Sequence, residues 1–166
     1  MKIPHLEIGT DGTDPRIAAV QYFVDRGMTP YGAIGLVGNL YRESNLSPDS
    51  VNSSSGAYGI AQWLGSRKDD LFASYGNKPT LEQQLEFVWN ELNSTHKRGL
   101  RMLNSSANAT DAARNGFGYY EFMVGPEGAV KEMNRHGQNG QRSLEEGIRY
   151  ANEIHDLYMP EYHRRQ

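Results

Sequence analysis

Gly32, Gly35 and Gly38 fall at every third position of a stretch that otherwise reads as an apolar helix, with Ala33, Ile34, Val37, Leu40 and Tyr41 at helical spacing. Each glycine costs such a helix about 0.8–1.0 kcal/mol against alanine, so tertiary packing must offset the loss. The i, i+3, i+6 spacing lays a smooth strip along part of the helix, on which another backbone can approach closely. A chain of this kind is expected to bury that helix at its centre. Thr29 and Pro30 supply the N-cap and first-turn pair, and Glu43-Ser44-Asn45 closes the element, which is placed at about Pro30 to Glu43.

The remaining pattern is mostly helical. Asp14-Pro15 opens a helix to about Arg26, and Ser66 can cap another over Arg67 to Tyr75. Thr80 with Gln83 forms a capping box for a helix carrying Leu81, Leu85, Val88, Trp89 and Leu92. A shorter helix is placed at His96 to Leu103, and one started by Thr110 runs over Asp111 to Val124. Gly125 to Gln141 reads mostly as loop with a turn of helix at Ala129 to Arg135. Ser143 with Glu146 caps a last helix holding Leu144, Ile148, Ala151, His155 and Tyr158. Ser44 to Gly56 is a polar loop, and Gly56-Ala-Tyr-Gly-Ile-Ala-Gln-Trp63 is expected to form a small strand or hairpin. At 166 residues the chain is expected to be a single domain over 14–166, with an N-terminal arm over 1–13.

Composition excludes several functions. With no cysteine there is no disulfide framework, thiol catalysis or cysteine-ligated zinc. His5, His96, His136, His155 and His163 make no close ligand pair, so neither a metal nor another cofactor is expected. Seventeen basic against twenty acidic residues, a net charge of −3, give no electrostatic drive toward nucleic acid. No apolar run approaches the ~20 residues of a membrane span, and no export signal is visible. The phosphate-loop, dinucleotide and nucleophile-elbow motifs are absent from the sequence.

What remains is a carboxyl group at an unusual address. Glu43 ends the glycine-rich helix, where the macrodipole is negative, and partial burial there would also disfavour the anion. Both effects raise a carboxyl pKa, as an acid that must hold its proton near neutral pH requires. Arg42 opposes this if it folds back. Tyr58, Gln62 and Trp63 follow on the Gly-framed segment, and Tyr119, Tyr120 and Glu121 come late in the chain. Aromatic faces and an amide are the groups that stack on and hydrogen-bond to sugar rings, so the set suits a glycan cleft.

Gly35-Leu-Val-Gly-Asn-Leu-Tyr-Arg-Glu-Ser-Asn-Leu-Ser-Pro48 followed by Gly56-Ala-Tyr-Gly-Ile-Ala-Gln-Trp63 resembles the phage tail lysozyme family, within the lysozyme-like superfamily of goose-type lysozymes and soluble lytic transglycosylases. The resemblance covers roughly Asp14 to Tyr162 and is strongest from Ala33 to Arg67. It implies a mainly α, lysozyme-like α+β fold, a helical bundle around the Gly-rich helix with a small β-hairpin lining the cleft. It also implies that Glu43 is the catalytic acid and that Gly59 to Trp63 lines the glycan. Ser44 and Asn45 then either hold Glu43 or the substrate acetamido group, or cap the helix. The family's late Tyr-Glu-Arg-Pro motif reads Tyr120-Glu121-Phe122-Met123 here, which leaves the role of Glu121 open.

The activity implied is cleavage of the β-1,4 bond between N-acetylmuramic acid and N-acetylglucosamine in peptidoglycan, by a phage-encoded muramidase or endolysin. In one alternative Glu121 or Asp49 activates water; in another Glu43 acts as acid and then base and releases a 1,6-anhydro product, as lytic transglycosylases do. A third alternative is a non-catalytic wall-binding or virion protein. The expected partner is the glycan strand, met by a monomer with no stable membrane insertion. Made in the host cytoplasm without a signal peptide, it would reach the wall through a holin-type lesion or inside a virion.

Overall fold

The computed structural model describes residues 12–166. Eight α-helices run in the order α1 (Pro15–Asp25), α2 (Pro30–Ser44), α3 (Gly65–Tyr75), α4 (Leu81–Leu92), α5 (Lys97–Asn104), α6 (Ala109–Asn115), α7 (Pro126–Arg135) and α8 (Gly140–Arg165), among the described residues. A π-helical segment, Gly116–Glu121, continues α6 directly. The predicted arm lies almost wholly in residues 1–11, outside the described residues.

α2 is the central helix, touching α1, α5, α6, α8 and the π segment. The expectation of one backbone against a glycine strip is too simple. Residues three apart sit about 60° apart around a helix, so the strip winds as it climbs. A Cβ at Gly32 would lie 2.8 Å from the Leu103 oxygen of α5, one at Gly35 2.3 Å from the Ala112 carbonyl carbon of α6, and one at Gly38 2.9 Å from the Ala151 Cα of α8. The three glycines therefore admit three different helices. Between them Ala33, Ile34, Leu36, Val37 and Leu40 are buried in the main core with Phe23, Leu85, Val88, Ile154 and Tyr158.

Local signals were good guides to several elements. Thr29 and Asp14 cap α2 and α1, each with proline in the first turn, and the Thr80–Gln83 capping box is present in full. Elsewhere the boundaries move. Asn108 caps α6 in place of Thr110, and the helix expected to reach Val124 changes to π geometry at Gly116. Leu64 occupies the N-cap of α3 in place of Ser66, with no side-chain cap bond. The segment read as loop with one helical turn contains all of α7. α8 is capped by Asn139 and starts before Ser143, because Gly140 sits against α7, where a Cβ would be 2.4 Å from the Val130 oxygen.

The expected β-hairpin is reduced to two isolated antiparallel bridges, Val51 with Tyr58 and Tyr58 with Trp63. No regular ladder forms because Gly59 and Gln62 take positive φ, 80° and 52°, and bend the chain between its bridging residues. The Ile60 amide is spent on the Gln84 side chain at 2.9 Å. Gln84 is fully buried on α4 and also donates to the Pro48 and Pro79 oxygens at 2.7 and 2.9 Å. This one amide side chain therefore ties the loop after α2 to the helical body.

Candidate active site

α2 ends through two successive left-handed residues, Asn45 and Leu46, at φ 55° and 60°. Asn45 closes the helix with its backbone N–H on the Tyr41 oxygen at 2.8 Å, an αL cap. Ser44 is buried. Its hydroxyl bonds to the Leu40 and Ile60 oxygens at 3.0 and 2.8 Å and accepts from the Leu46 amide at 3.2 Å. Asn45 shapes the helix exit with its side chain exposed, and Ser44 braces the helix end against the 56–63 segment.

That brace sets Glu43 at the surface between the loop and the π segment, with 24% of its side chain exposed. Arg42 folds back onto it. Arg42 Nη2 donates to Glu43 Oε1 at 2.7 Å and, from the same nitrogen, to Glu121 Oε2 at 2.6 Å. The guanidinium is one-tenth exposed or less, near the Phe117 ring, with 5.4 Å from its central carbon to the ring centroid. Glu121 reaches this point from the last residue of the π segment, an insertion of the kind frequent at functional sites. Asn39 secures the junction, donating to Gly35 and Ala113 oxygens at 3.1 and 2.9 Å.

Two carboxyl groups thus share one cation. Burial, reinforced by the charge of Glu43 and opposed by Arg42, pushes the Glu121 pKa up to about 8. Its second oxygen, Oε1, is buried without a hydrogen-bond partner. Burial thus raises the proton affinity of Glu121, at the end of the π segment. Because both accepting oxygens lie on one nitrogen, they are no farther apart than their two bond lengths laid end to end. These nearest oxygens therefore lie closer than the ~6.5–9.5 Å between carboxyl groups that leaves room for a water in an inverting pair.

The two large aromatics expected at the cleft are core. Trp63 and Tyr120 are 0% and 1% exposed, so neither offers a face to a sugar. Their polar tips converge on Glu91 of α4, which accepts from Trp63 Nε1 at 3.0 Å and the Tyr120 hydroxyl at 2.8 Å. Arg67 grips the same carboxylate through Nε at 2.6 Å and Nη2 at 2.9 Å. Burial alone would raise the Glu91 pKa, but the Arg67 pair and the donated hydrogen bonds outweigh it and hold it below the ordinary carboxyl value.

Tyr58 is half-buried with its ring against Phe72 at 4.9 Å. The Gln62 amide donates to Ser50 and Gly59 oxygens at 3.2 and 2.8 Å, holding the loop in shape. Asp49 is exposed and accepts from Ser47 Oγ at 3.0 Å. Glu91, Arg67 and Gln84 were not foreseen. Gln84 and Glu91 lie seven residues apart on the side of α4 that carries Leu81, Leu85, Val88 and Leu92, and polar residues in an apolar register were the available signal.

No curated protein and no solved structure matches this chain. A family model described as phage tail lysozyme matches residues 16–158, a span that includes α2, the loop, Glu91 and Glu121, and the chain belongs to that family.

Proposed function

We propose that this chain degrades peptidoglycan by cleaving its glycan strands, with Glu43 as the acid that protonates the leaving glycosidic oxygen. The observation that carries the reading is the carboxyl pair itself. Glu43 stands partly exposed at the end of the central helix, with a second, more deeply buried carboxyl beside it on the same guanidinium. Family membership supplies the substrate class. The bond proposed is the β-1,4 link between N-acetylmuramic acid and N-acetylglucosamine, and glycan strands are the proposed partner.

The spacing of the pair favours a second reading of the later steps. With an oxygen of each on one nitrogen, Glu43 and Glu121 are held closer than the spacing that suits a water activated on the opposite sugar face. Glu43 acting first as acid and then as base, with the substrate's own acetamido group assisting, needs no second carboxylate. The product is then a 1,6-anhydro sugar, as in a lytic transglycosylase. Tyr58 and Gln62, the half-buried members of the loop, are the proposed glycan contacts.

Mass spectrometry of soluble fragments from purified peptidoglycan tests both readings. Wild type is expected to release fragments and Glu43→Gln at least ~10²-fold less, the usual worth of a positioned acid. Reducing muramic ends identify a hydrolase, and 1,6-anhydro ends a transglycosylase. No fragments from folded wild type would overturn the proposal in favour of a wall-binding or virion protein.

A further inference from the structure

We infer that Arg42 is a positioning residue that binds Glu43 and Glu121 into a single pair holding one proton, which can reside on either carboxyl while the guanidinium neutralises the other. This deepens the reading of Glu43 as the acid and rests on it.

The geometry carries the argument. One nitrogen, Arg42 Nη2, meets an oxygen of each carboxyl at 2.7 and 2.6 Å. The side chains of Arg42 and Glu121 are only 9% and 10% exposed, so solvent screens this contact poorly. One cation cannot neutralise two anions, and the doubly ionised cluster would leave a negative charge buried. Glu121 would also carry an ionised oxygen, Oε1, that has no hydrogen-bond partner. One added proton makes the cluster neutral, whichever carboxyl receives it.

That equivalence is what an acid in this position needs. A cation beside a single carboxyl favours its ionised form, the wrong form for protonating a leaving group. With Glu121 on the same nitrogen, moving the proton to Glu43 breaks one O–H bond on Glu121 and forms one on Glu43. The guanidinium then serves the newly ionised Glu121, so the charge count is unchanged and no other reactant is consumed. The upward pull of burial on Glu121 supports this, since the proton is retained near neutral pH. Other charges face the pair from two more helices: Arg67 of α3, which favours the ionised form of Glu121, and Glu146 of α8, which acts on Arg42. Neither makes a hydrogen bond to the pair, so Arg42 is the group that couples its members.

Carbon-13 NMR titration of the glutamate carboxyls in the full chain tests this without relying on activity. Glu43→Gln and Glu121→Gln assign the two signals. In wild type both are expected to titrate in two steps with shared midpoints, the mark of a coupled pair. Removing a cation favours protonation, so Arg42→Gln should move the midpoints upward by about 1–3 pH units and carry the alkaline limb of glycan release with them. Arg42→Lys should bring the midpoints back toward wild type. A merely structural Arg42 would lower stability or rate with the midpoints in place, and that result overturns the inference. Independent single-step titration in wild type overturns it too, even if Arg42→Gln does not fold. Full activity in Glu43→Gln alongside coupled titration in wild type would overturn the acid assignment and leave the proton sharing standing.

Discussion

At the scale of single residues, Glu91 shows how a carboxylate becomes part of a core. A buried ion is tolerated when paired and hydrogen-bonded, and Glu91 has Arg67, Trp63 and Tyr120 around one carboxyl. Glu91→Gln keeps the shape but weakens charge-assisted bonds, so a loss of about 1.5–3 kcal/mol of stability is expected by urea denaturation. Full stability in that variant would contradict the role given to Glu91. In the sequence, Trp63 and Tyr120 read as sugar-stacking rings. Their residue types are right for that task, but a ring's exposure depends on what packs over it, and α4 lies far along the chain.

At the scale of elements, α2 is the part most legible in advance. Its caps, its apolar register and its glycines are local facts, and together they place Glu43 at its exit. Which neighbour each glycine meets is not local. Gly35→Ala drives a methyl deep into the Ala112 backbone, whereas Gly32→Ala meets the Leu103 backbone oxygen and the Thr29 hydroxyl less closely, at 2.8 and 2.9 Å. Overpacking typically costs about 1–3 kcal/mol, more than the ~1 kcal/mol that alanine returns in helix propensity. Gly35→Ala is therefore expected to lower the thermal midpoint by several degrees and Gly32→Ala by less. The opposite order in calorimetry would mean that α6 moves away from α2 more readily than α5. The shifted starts of α6 and α8 have the same origin. Serine, threonine and asparagine signals compete over a few residues, and contact with α7 at Gly140 decides where α8 begins.

At the scale of the molecule, two buried carboxyls give stability opposite pH slopes. Glu121 has a folded-state pKa raised to about 8, so the native state holds a proton that the unfolded chain gives up at ordinary carboxyl pH. Its contribution is fully present below the ordinary value of 4.5 and is lost as pH rises toward about 8. Glu91, lowered, contributes above 4.5 and loses its contribution as pH falls through its depressed folded value. Urea midpoints at pH 5 and pH 8 are expected to differ less in Glu121→Gln than in wild type, since the variant cannot lose that proton. An equal or larger difference in the variant would exclude Glu121 as the source of the alkaline loss.

The mainly helical architecture, the central glycine helix and the presence of Glu43 at its end can be read from the chain alone. Those follow from periodicity, capping chemistry and steric size, which act between residues a few positions apart. Only the tertiary structure decided that Arg42 joins Glu43 to Glu121, that the loop forms single bridges in place of a hairpin, and that Trp63 and Tyr120 turn inward to Glu91. Desolvation and ion pairing depend on which distant elements close over a side chain. A carboxyl's proton affinity is therefore a property of the packed molecule, whereas its place at a helix end is written in the chain.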